Sequence, residues 1–361
     1  AQTRVVNEIK EDLSQQVPMM RLVQGDVGSG KTVVGALASA LALDSSFQVA
    51  FMAPTTLLAE QHFLSLKSFF NKQAGKVALL TGSTSASQRK RVLQDLMDGK
   101  IKLLVGTHAL FQKSVEFSNL ALIIIDEQHR FGVNQRLALR KKNASQDSAP
   151  HQLTLTATPI PRTLSMSVNA NMDVSVIDEL PPGRKPIQTS CLSLSGKDKL
   201  IERISAAIKK DSKVYWICPL IEESENLDLN AVMETYEDLS EHFGQEKVGC
   251  LHGKLSAILK QVQIEAFKDS KTSILVSTTV VEVGVDIPDA DIMVIENAER
   301  FGLAQLHQLR GRIGRGTKES FCILLHKDKI QDVSSQRLQV LVDSQDGFKI
   351  AEEDLVISCL L

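Results

Sequence analysis

The sequence predicts an α/β protein built from two tandem, doubly wound parallel-sheet domains, followed by a short helical segment. Short runs rich in Val, Ile and Leu alternate with longer helix-like stretches, which is typical of parallel sheets. These runs lack strict alternation of apolar and polar residues, as expected for strands buried on both faces. The same pattern occurs twice, on either side of one proline-rich segment. These observations predict two similar α/β halves.

Each predicted element follows from its local sequence. The apolar runs predict strands at 21–24, 48–53, 77–80, 102–105, 121–125 and 152–155, and again at 214–219, 247–251, 273–277, 291–296 and 322–325. Helix-like stretches include 32–43, 57–70, 197–210, 230–243 and 254–267. Two prolines and a glycine in segment 178–184 cannot continue a helix or a central strand. We therefore predict domains over residues 1–180 and 181–330, with a helical segment over 331–361.

The composition narrows the function classes. Of 361 residues, 43% are hydrophobic and 23% charged, with only 10 prolines and 20 glycines, which suits a folded soluble protein and excludes a disordered or collagen-like chain. Aromatic residues make up 4%, too few for a nucleic-acid binder that relies on base stacking. The net charge of −2 creates no bulk positive field. Any nucleic acid must therefore bind in a local groove.

Charge and cysteine usage suggest the surroundings of the protein. Residues 1–180 carry 19 Lys and Arg against 15 Asp and Glu, and residues 181–361 carry 22 against 28. Nine acidic residues and no basic one lie between 222 and 246, which we interpret as a solvated face. Five cysteines without a C-x-x-C pair favour a reducing compartment, and no apolar run approaches the ~18 residues that span a membrane. We expect a cytoplasmic protein without membrane contact.

The strongest local motif is a glycine-rich segment between a predicted strand and a predicted helix. It matches the phosphate-loop pattern G-x-x-x-x-G-K-[ST] in full and consists of Gly25, Asp26, Val27, Gly28, Ser29, Gly30, Lys31 and Thr32. Its glycines let backbone N–H groups turn toward phosphate oxygens, and the following helix directs its positive end at the same anion. Lys31 is predicted to contact the β- and γ-phosphates and Thr32 to bind Mg²⁺. The predicted cofactors are ATP and Mg²⁺.

Two acidic residues follow the strand predicted at 121–125. Asp126 and Glu127 would lie at the carboxyl edge of the sheet, where ligands bind in open α/β sheets. Asp126 can hold Mg²⁺ through water, and Glu127 can orient or deprotonate the attacking water. The alternative is a helix N-cap with an acidic first turn. Because the phosphate loop lies upstream, we prefer the catalytic interpretation.

A third motif in the second half combines arginine with glycine. Arg310, Arg312 and Arg315 lie within six residues, and glycines separate them. Arginine supplies a permanent charge and a planar fork suited to phosphate oxygens. We predict that these arginines stabilise the transition state of phosphoryl transfer rather than serve packing, in a site that closes only when the two halves meet. The alternative is a basic loop that contacts nucleic acid.

In their order, these motifs resemble those of superfamily-two helicases and translocases, whose motors consist of two RecA-like domains. Longer stretches narrow the resemblance to the RecG family of branched-DNA translocases, over about residues 1–357. These stretches are Asp-Glu-Gln-His-Arg-Phe-Gly-Val at 126–133, Thr-Ala-Thr-Pro-Ile-Pro-Arg-Thr at 156–163, Asp-Glu-Leu-Pro-Pro-Gly-Arg at 178–184 and segment 301–315. The Mfd family of transcription-repair coupling factors is the nearest relative. The resemblance implies ATP hydrolysis coupled to movement on duplex or branched DNA, as in fork regression, recombination and repair.

The resemblance also implies roles for individual residues. Gln2 would read adenine, and Gly284 and Asp286 would supply a backbone and ribose contact to the nucleotide. Gln308 would contact the γ-phosphate or the water, Arg312 and Arg315 would be arginine fingers, and Thr156 and Thr158 would couple hydrolysis to movement. Sequence-independent contacts to the DNA backbone are implied for Pro54, Thr55, Thr56, Gly106, Thr107, His108, His252, Gly253, Thr278 and Thr279. For Gln2 the alternative is a disordered terminal residue, and at each of the other positions it is a loop residue or a helix cap.

The sequence departs from the family pattern at both ends. The resemblance implies an N-terminal wedge domain with an oligonucleotide-binding fold, which we expect in a longer protein because residue 1 already lies at the adenine-reading motif. After Leu355 the family continues with an Arg-Gly-Pro-Gly stretch, whereas this sequence ends in Ser-Cys-Leu-Leu. We therefore expect residues 331–361 to be the truncated start of a translocation segment.

Four interpretations compete with a RecG-type motor. They are an Mfd-like translocase, an RNA helicase of the same superfamily, a nucleotide-gated DNA-binding module without productive hydrolysis, and a decayed relative. We expect a monomer in the bacterial cytosol or nucleoid, or in an organelle of bacterial descent. Its binding to DNA is expected to be weak, salt-sensitive and blind to sequence.

Overall fold

The computed structural model describes residues 1–127, 149–158, 172–179, 185–219, 225–278, 290–314 and 318–359. The chain forms two compact units, Ala1–Pro181 and Pro182–Leu361. Each unit contains one sheet, and all the described strand pairs of both sheets are parallel. The predicted fold class, two parallel-sheet α/β domains with helices at the C-terminus, is confirmed.

The first unit is a seven-stranded sheet with flanking helices. Its strands are β1 (Met20–Gly25), β2 (Gln48–Met52), β3 (Val77–Leu80), β4 (Leu103–Gly106), β5 (Leu120–Asp126), β6 (His151–Thr156) and β7 (Asp173–Ile177). Its described helices are α1 (Gln2–Leu13), α2 (Lys31–Asp44), α3 (Thr56–Phe69) and α4 (Ala86–Met97), with short 3₁₀ helices at Asn71–Lys76 and His108–Phe111. The strand order is β3-β4-β2-β5-β6-β1-β7. This order places β5, β6 and β1 side by side.

The second unit repeats the plan with six strands. They are β8 (Ile187–Ser193), β9 (Val214–Cys218), β10 (Val248–Leu251), β11 (Ile274–Thr278), β12 (Ile292–Ile295) and β13 (Ser320–His326), in the order β10-β11-β9-β12-β13-β8. The described helices are α5 (Lys197–Ile208), α6 (Glu225–Phe243), α7 (Ala257–Lys268), α8 (Leu303–Arg310), α9 (Asp332–Asp343) and α10 (Gly347–Cys359). Short 3₁₀ helices occur at Leu194–Gly196, Gln245–Lys247 and Ala298–Arg300.

The central strands of the first sheet are continuous apolar runs because both of their faces are buried. Successive side chains of a strand point to opposite faces, so alternate residues enter different cores. One core contains Val49, Phe51, Leu122 and Ile124, and the other contains Ala50, Met52, Ile123 and Ile125. Helices α1, α2 and α3 contribute to the first core, and α4 contributes to the second. Both faces of the sheet are therefore covered, as in a doubly wound fold.

Every strand predicted from an apolar run is present, with ends that differ by at most two residues. Two strands were missed, β7 and β8, because neither contains a continuous apolar run. Each pairs with only one neighbour, β7 with β1 and β8 with β13, and each carries exposed residues. Edge strands need no second buried ladder, so polar residues can occupy them. A search for continuous apolar runs therefore misses β7 and β8, whereas it finds the edge strands β3 and β10, which contain such runs.

One predicted helix began too early. The sequence predicted a helix at 254–267, but α7 starts at Ala257 because the Ser256 hydroxyl accepts a hydrogen bond from the Leu259 N–H at 3.3 Å. A serine that caps in this way lies outside the helix and satisfies one of its first N–H groups. The prediction overlooked this cap.

Candidate functional site

The phosphate-loop motif forms the connection between β1 and α2. Strand β1 ends at Gly25 and helix α2 begins at Lys31. Gly28 and Gly30 have φ angles of +84° and +91°, a left-handed backbone that favours glycine. Gly30 is also the N-cap of α2, and a Cβ there would overlap the Gln2 amide. The loop therefore needs glycine at both positions to reach the helix.

The side chains of Lys31 and Gln2 hold the loop through hydrogen bonds to its backbone carbonyls. The Lys31 ammonium donates to the carbonyl oxygens of Gly25 and Asp26 at 2.6 and 2.8 Å. The Gln2 amide, on α1, donates to the carbonyl oxygen of Ser29 at 2.8 Å. The Ser29 hydroxyl is buried and has no hydrogen-bond partner in the described part of the chain. A polar atom that is buried yet unpartnered in a phosphate loop is suited to a ligand oxygen.

Asp126, the last residue of β5, is held by a histidine. Its Oδ2 lies 2.8 Å from His62 Nε2, and both side chains are largely buried. His62 belongs to α3, and its ring packs against Phe51 of β2 with centroids 4.8 Å apart. The sequence analysis did not single out His62. Its only signal was a histidine within a helix-like stretch, because its partner is 64 residues away in sequence.

Glu127 adopts an unusual backbone and a fixed side-chain position. Its φ of +51° lies in the left-handed region, which costs a non-glycine residue about 1 kcal/mol. The Glu127 N–H donates to the Leu155 carbonyl at 2.9 Å. Its carboxylate accepts from the Ala157 N–H at 3.0 Å and from the Thr156 hydroxyl at 3.3 Å. The hydrogen bonds to the end of β6 therefore fix the position of this acid.

The environment of Glu127 favours its protonated form. Burial raises the pKa of Glu127 to about 7, and the neighbouring Asp126 charge acts in the same direction. Lys31 opposes both effects, as do the hydrogen bonds from Ala157 and Thr156. A carboxylate with a pKa near neutrality is suited to general-base chemistry.

The ends of three adjacent strands bring these groups together. Asp126 pairs in register with Leu155, and Thr156 pairs with Gln24, so β5, β6 and β1 end at the same edge of the sheet. Thr158 follows Thr156 and donates its N–H to the Thr156 hydroxyl at 3.1 Å. The carboxyl edge of a parallel sheet is the usual ligand site of α/β proteins. The phosphate loop, both acids and the Thr156 segment thus form one cluster within the first unit.

The oxygen donors at this edge suit Mg²⁺. Thr32, in the first turn of α2, offers a hydroxyl and Asp126 a carboxylate, and hard oxygen ligands are those that Mg²⁺ prefers. Across the described residues, no group of three or more His, Cys, Asp or Glu could hold a metal by itself.

The predicted DNA contacts of the first unit lie at two further strand ends. Pro54, Thr55 and Thr56 lie at the start of α3. Thr55 is the N-cap of this helix, and its hydroxyl accepts a hydrogen bond from the Leu58 N–H at 3.3 Å. Gly106 ends β4, where a Cβ would overlap the Leu80 carbonyl. Thr107 follows, and its buried hydroxyl has no hydrogen-bond partner in the described structure, while His108 is exposed.

In the second unit, His252, Gly253 and Thr278 lie at or just beyond the ends of β10 and β11. The His252 Nδ1 and Thr278 hydroxyl are buried, and neither has a hydrogen-bond partner among the described residues. Burial lowers the pKa of His252, as do Lys260 and Lys254. The Gly253 carbonyl accepts from the Lys260 ammonium at 3.0 Å. The edge formed by β10 and β11 therefore carries both positive charge and unpartnered polar atoms.

One of the three arginines was misjudged. Arg310, predicted with Arg312 and Arg315 to contact phosphate, ends α8 and is 3% exposed. Its guanidinium donates to the carbonyl oxygens of Leu341 and Ser344 at 2.7 and 2.8 Å, and lies 3.0 Å from the His307 ring. Carbonyls at a helix end lack partners within their own helix, so Arg310 satisfies the end of α9. Its role is packing.

The remaining predicted residues divide into two groups. Gln308 lies on α8 and Arg312 follows that helix, half-buried. Thr279, Gly284, Asp286 and Arg315 lie outside the described residues, as does the stretch after Glu127. Within the described ranges, no helix combines the length and the apolar character needed to cross a bilayer.

Comparison with known proteins shows similarity to helicases in both units. The DEAD/DEAH box helicase model matches residues 1–167, and the helicase conserved C-terminal domain model matches residues 196–317. The chain is 52% identical over 358 residues to the ATP-dependent DNA helicase RecG of Pasteurella multocida (strain Pm70), covering 99% of this chain and 52% of that protein. With the Escherichia coli (strain K12) protein of the same name it shares 51% over the same coverage.

A solved structure supports the relationship. RecG bound to a three-way DNA junction matches with a TM-score of 0.81 and 42% identity, over 98% of this chain and 46% of that one. The chain spans about half the length of the curated relatives it matches. Its two parallel-sheet units have the RecA-like helicase fold. Over nearly its whole length, the chain is similar to proteins named ATP-dependent DNA helicase RecG.

Proposed function

We propose that the chain is the motor core of a RecG-type DNA translocase, which hydrolyses ATP to move on duplex or branched DNA. One observation carries the proposal. The phosphate loop, Asp126, Glu127 and Thr156 meet at the carboxyl edge of three adjacent strands within the first unit. The identity to RecG proteins over nearly the whole chain supports the choice of DNA as the track.

The first unit would hold the nucleotide mainly through backbone groups. N–H groups of the glycine-rich loop and the start of α2 would bind phosphate oxygens, and Lys31 would exchange its two carbonyl partners for the β- and γ-phosphates. Thr32 and Asp126 would hold Mg²⁺, which neutralises phosphate charge when bound. Gln2 already braces the loop, and we assign to it the adenine contact. We assign the backbone and ribose contacts to Gly284 and Asp286.

Glu127 would activate the attacking water. Its carboxylate is fixed by Ala157 and Thr156, and the raised pKa makes it a stronger base than an exposed acid. The Thr158 N–H donates to the Thr156 hydroxyl, which in turn donates to Glu127. Displacement of Glu127 during hydrolysis would therefore shift Thr156 and Thr158. We therefore assign Thr156 and Thr158 to coupling. From the second unit we assign Gln308, Arg312 and Arg315 to stabilisation of the transferred phosphoryl group.

The unpartnered polar atoms support the assigned DNA contacts. Buried polar atoms normally have hydrogen-bond partners. Thr107, His252 and Thr278 depart from this rule at three of the positions assigned to the DNA backbone. Trp216 and Ser240 also depart from it, at positions with no assigned DNA contact. Phosphate oxygens would satisfy all three sites without reading sequence.

The test measures ATP hydrolysis by this 361-residue chain in the presence of Mg²⁺ under four conditions. These are no nucleic acid, added duplex DNA, added forked DNA and added RNA. We expect basal hydrolysis that both DNAs stimulate more than RNA does, with weak and salt-sensitive binding by a monomer. The Lys31→Ala variant serves as the blank. Greater stimulation by RNA would favour an RNA helicase, and nucleotide binding without hydrolysis would favour a nucleotide-gated binding module. Either result would overturn the proposal.

The proposed setting follows the family. A RecG-type motor in the bacterial cytosol would act in fork regression, branch migration and repair. An Mfd-like translocase is the second candidate among DNA motors, and the 51–52% identity to RecG proteins favours the RecG type.

A further inference from the structure

His62 is a buried polar residue that the proposed mechanism does not use. It is 7% exposed and lies on α3, two turns after the Thr55 cap. Its Nε2 is 2.8 Å from Asp126 Oδ2. A carboxylate that binds Mg²⁺ is ionised and only accepts hydrogen bonds, so in that state the imidazole N–H is the donor. The contact is thus a directional hydrogen bond onto the acid assigned to Mg²⁺.

The imidazole is itself held in place. Its ring lies against Phe51 at 4.8 Å between centroids and at an angle of 49°, and Phe51 is fully buried in the central strand β2. Helix α3 is anchored in the same core through Ala59 and Leu66. A donor held from two sides can fix the plane of the carboxylate it contacts. Asp126 is the last residue of β5, and its side chain is largely buried.

We propose that His62 is a positioning residue, which fixes the Asp126 carboxylate in the orientation that binds Mg²⁺ with ATP. This inference rests on the proposed function, since it concerns the same site. Groups that hydrogen-bond a metal ligand orient it, and their loss typically weakens metal affinity or activity by about 10- to 100-fold. His62 therefore belongs to the nucleotide site although it lies in no recognised motif of the sequence.

The experiment measures metal affinity rather than turnover. Mn²⁺ replaces Mg²⁺ because it accepts the same oxygen ligands and is visible by electron paramagnetic resonance. Mn²⁺ is titrated into the wild-type chain and its variants, each with a saturating non-hydrolysable ATP analogue. His62→Phe keeps the ring packing on Phe51 but removes the donor, and we expect about tenfold weaker Mn²⁺ binding. His62→Gln restores an N–H donor, and we expect affinity within about threefold of wild type.

His151→Phe is the matched control. His151 also makes one hydrogen bond in the first unit, where its Nδ1 accepts from the Met19 N–H at 3.0 Å, but it lies at the opposite end of β6. Loss of that bond should lower thermal stability without changing Mn²⁺ affinity. Equal Mn²⁺ affinity in wild type and a folded His62→Phe variant would overturn the inference. A failure of His62→Gln to restore affinity would also overturn it.

A second measurement needs no variant. In the ¹⁵N-histidine-labelled wild-type chain, we expect His62 as a single Nε2–H tautomer whose signals shift when Mg²⁺ and the analogue are added together. A His62 signal that averages over both tautomers would contradict the proposal. If the wild type binds no metal–nucleotide complex at all, the proposed function fails as well. If it binds and His62→Phe behaves identically, only the role of His62 fails.

Discussion

The candidate site residues of the two units differ in how they are held. At the carboxyl edge of the first sheet, the three candidate catalytic residues hydrogen-bond to one another's neighbours or to nearby backbone: Lys31 to the phosphate loop, Asp126 to His62, and Glu127 to Thr156. The buried hydroxyls of Ser29 and Thr107, in the same unit, have no partner among the described residues. In the second unit, the buried polar atoms of Thr278 and His252 have no partner among the described residues. Its best-anchored arginine, Arg310, is committed to the end of α9.

This difference distinguishes the residues proposed for catalysis from those proposed to contact DNA. A site that must act on one bond needs groups held to within a fraction of an ångström, and internal hydrogen bonds provide that. Groups that contact a moving nucleic-acid backbone need only present polar atoms along its path. We infer that the edge of the first unit is preformed for its part in the chemistry.

The largest effects should come from the charges that face the phosphates. Lys31→Ala should abolish nucleotide binding and lower hydrolysis at least about 100-fold. Arg315→Ala should lower hydrolysis on the order of 10³-fold while leaving nucleotide binding nearly intact, because such arginines act mainly in the transition state. Fluorescent-nucleotide binding and steady-state hydrolysis separate the two. The control is Lys102→Ala, which removes a half-buried lysine whose ammonium donates to the Ser46 carbonyl. Wild-type turnover in either variant would contradict the assignment.

Substitutions of two neighbouring arginines in the second unit should affect different properties, stability in one case and hydrolysis in the other. Arg310→Ala leaves the Leu341 and Ser344 carbonyls without their donor, so the free energy of unfolding should fall by about 2–4 kcal/mol. Arg312→Ala should cost much less stability but remove most of the hydrolysis. Denaturant unfolding and ATPase assays on the same preparations give both values. The contrast fails if Arg312→Ala is the more destabilising change.

The pH dependence of hydrolysis and of the free energy of unfolding should report the protonation of Glu127. As a base it must be ionised, so hydrolysis should rise with pH through about 7. Folding raises its pKa above the ordinary 4.5, so the folded chain binds this proton more tightly than the unfolded chain. The contribution of Glu127 to the free energy of unfolding should therefore fall as pH increases from about 4.5 to about 7. In Glu127→Gln this component should vanish, which unfolding curves at several pH values would detect.

The smallest effect concerns a single hydroxyl in the second unit. Thr278→Val replaces an unpartnered buried hydroxyl with a methyl group, so stability should not fall. If that hydroxyl contacts a DNA phosphate, affinity for duplex DNA should fall about three- to tenfold at low salt. Thr272→Val is the matched control, since its hydroxyl is also buried and unpartnered among the described residues but lies outside the predicted contacts. Equal DNA affinity in both variants would remove Thr278 from the interface.

What the sequence could predict depended on how local each feature is. The phosphate loop and the Asp126–Glu127 pair are contiguous with a strand, so the motif and its structural context are read together. The buried strands were found because both of their faces are covered by core residues. His62 was missed because its partner Asp126 is 64 residues away in sequence. Arg310 was given the wrong role because its partner Leu341 is 31 residues away. The edge strands β7 and β8 escaped because exposed positions interrupt their apolar pattern.

The most direct test of the preformed catalytic edge is single-turnover hydrolysis by Glu127→Gln, with nucleotide affinity measured in parallel. Glutamine can keep a hydrogen bond from Ala157 or Thr156 but cannot accept the proton of water. We predict nucleotide affinity within about threefold of wild type and a chemical step slowed by on the order of 100- to 10,000-fold. A chemical step at the wild-type rate would show that Glu127 is not the base and would contradict the account.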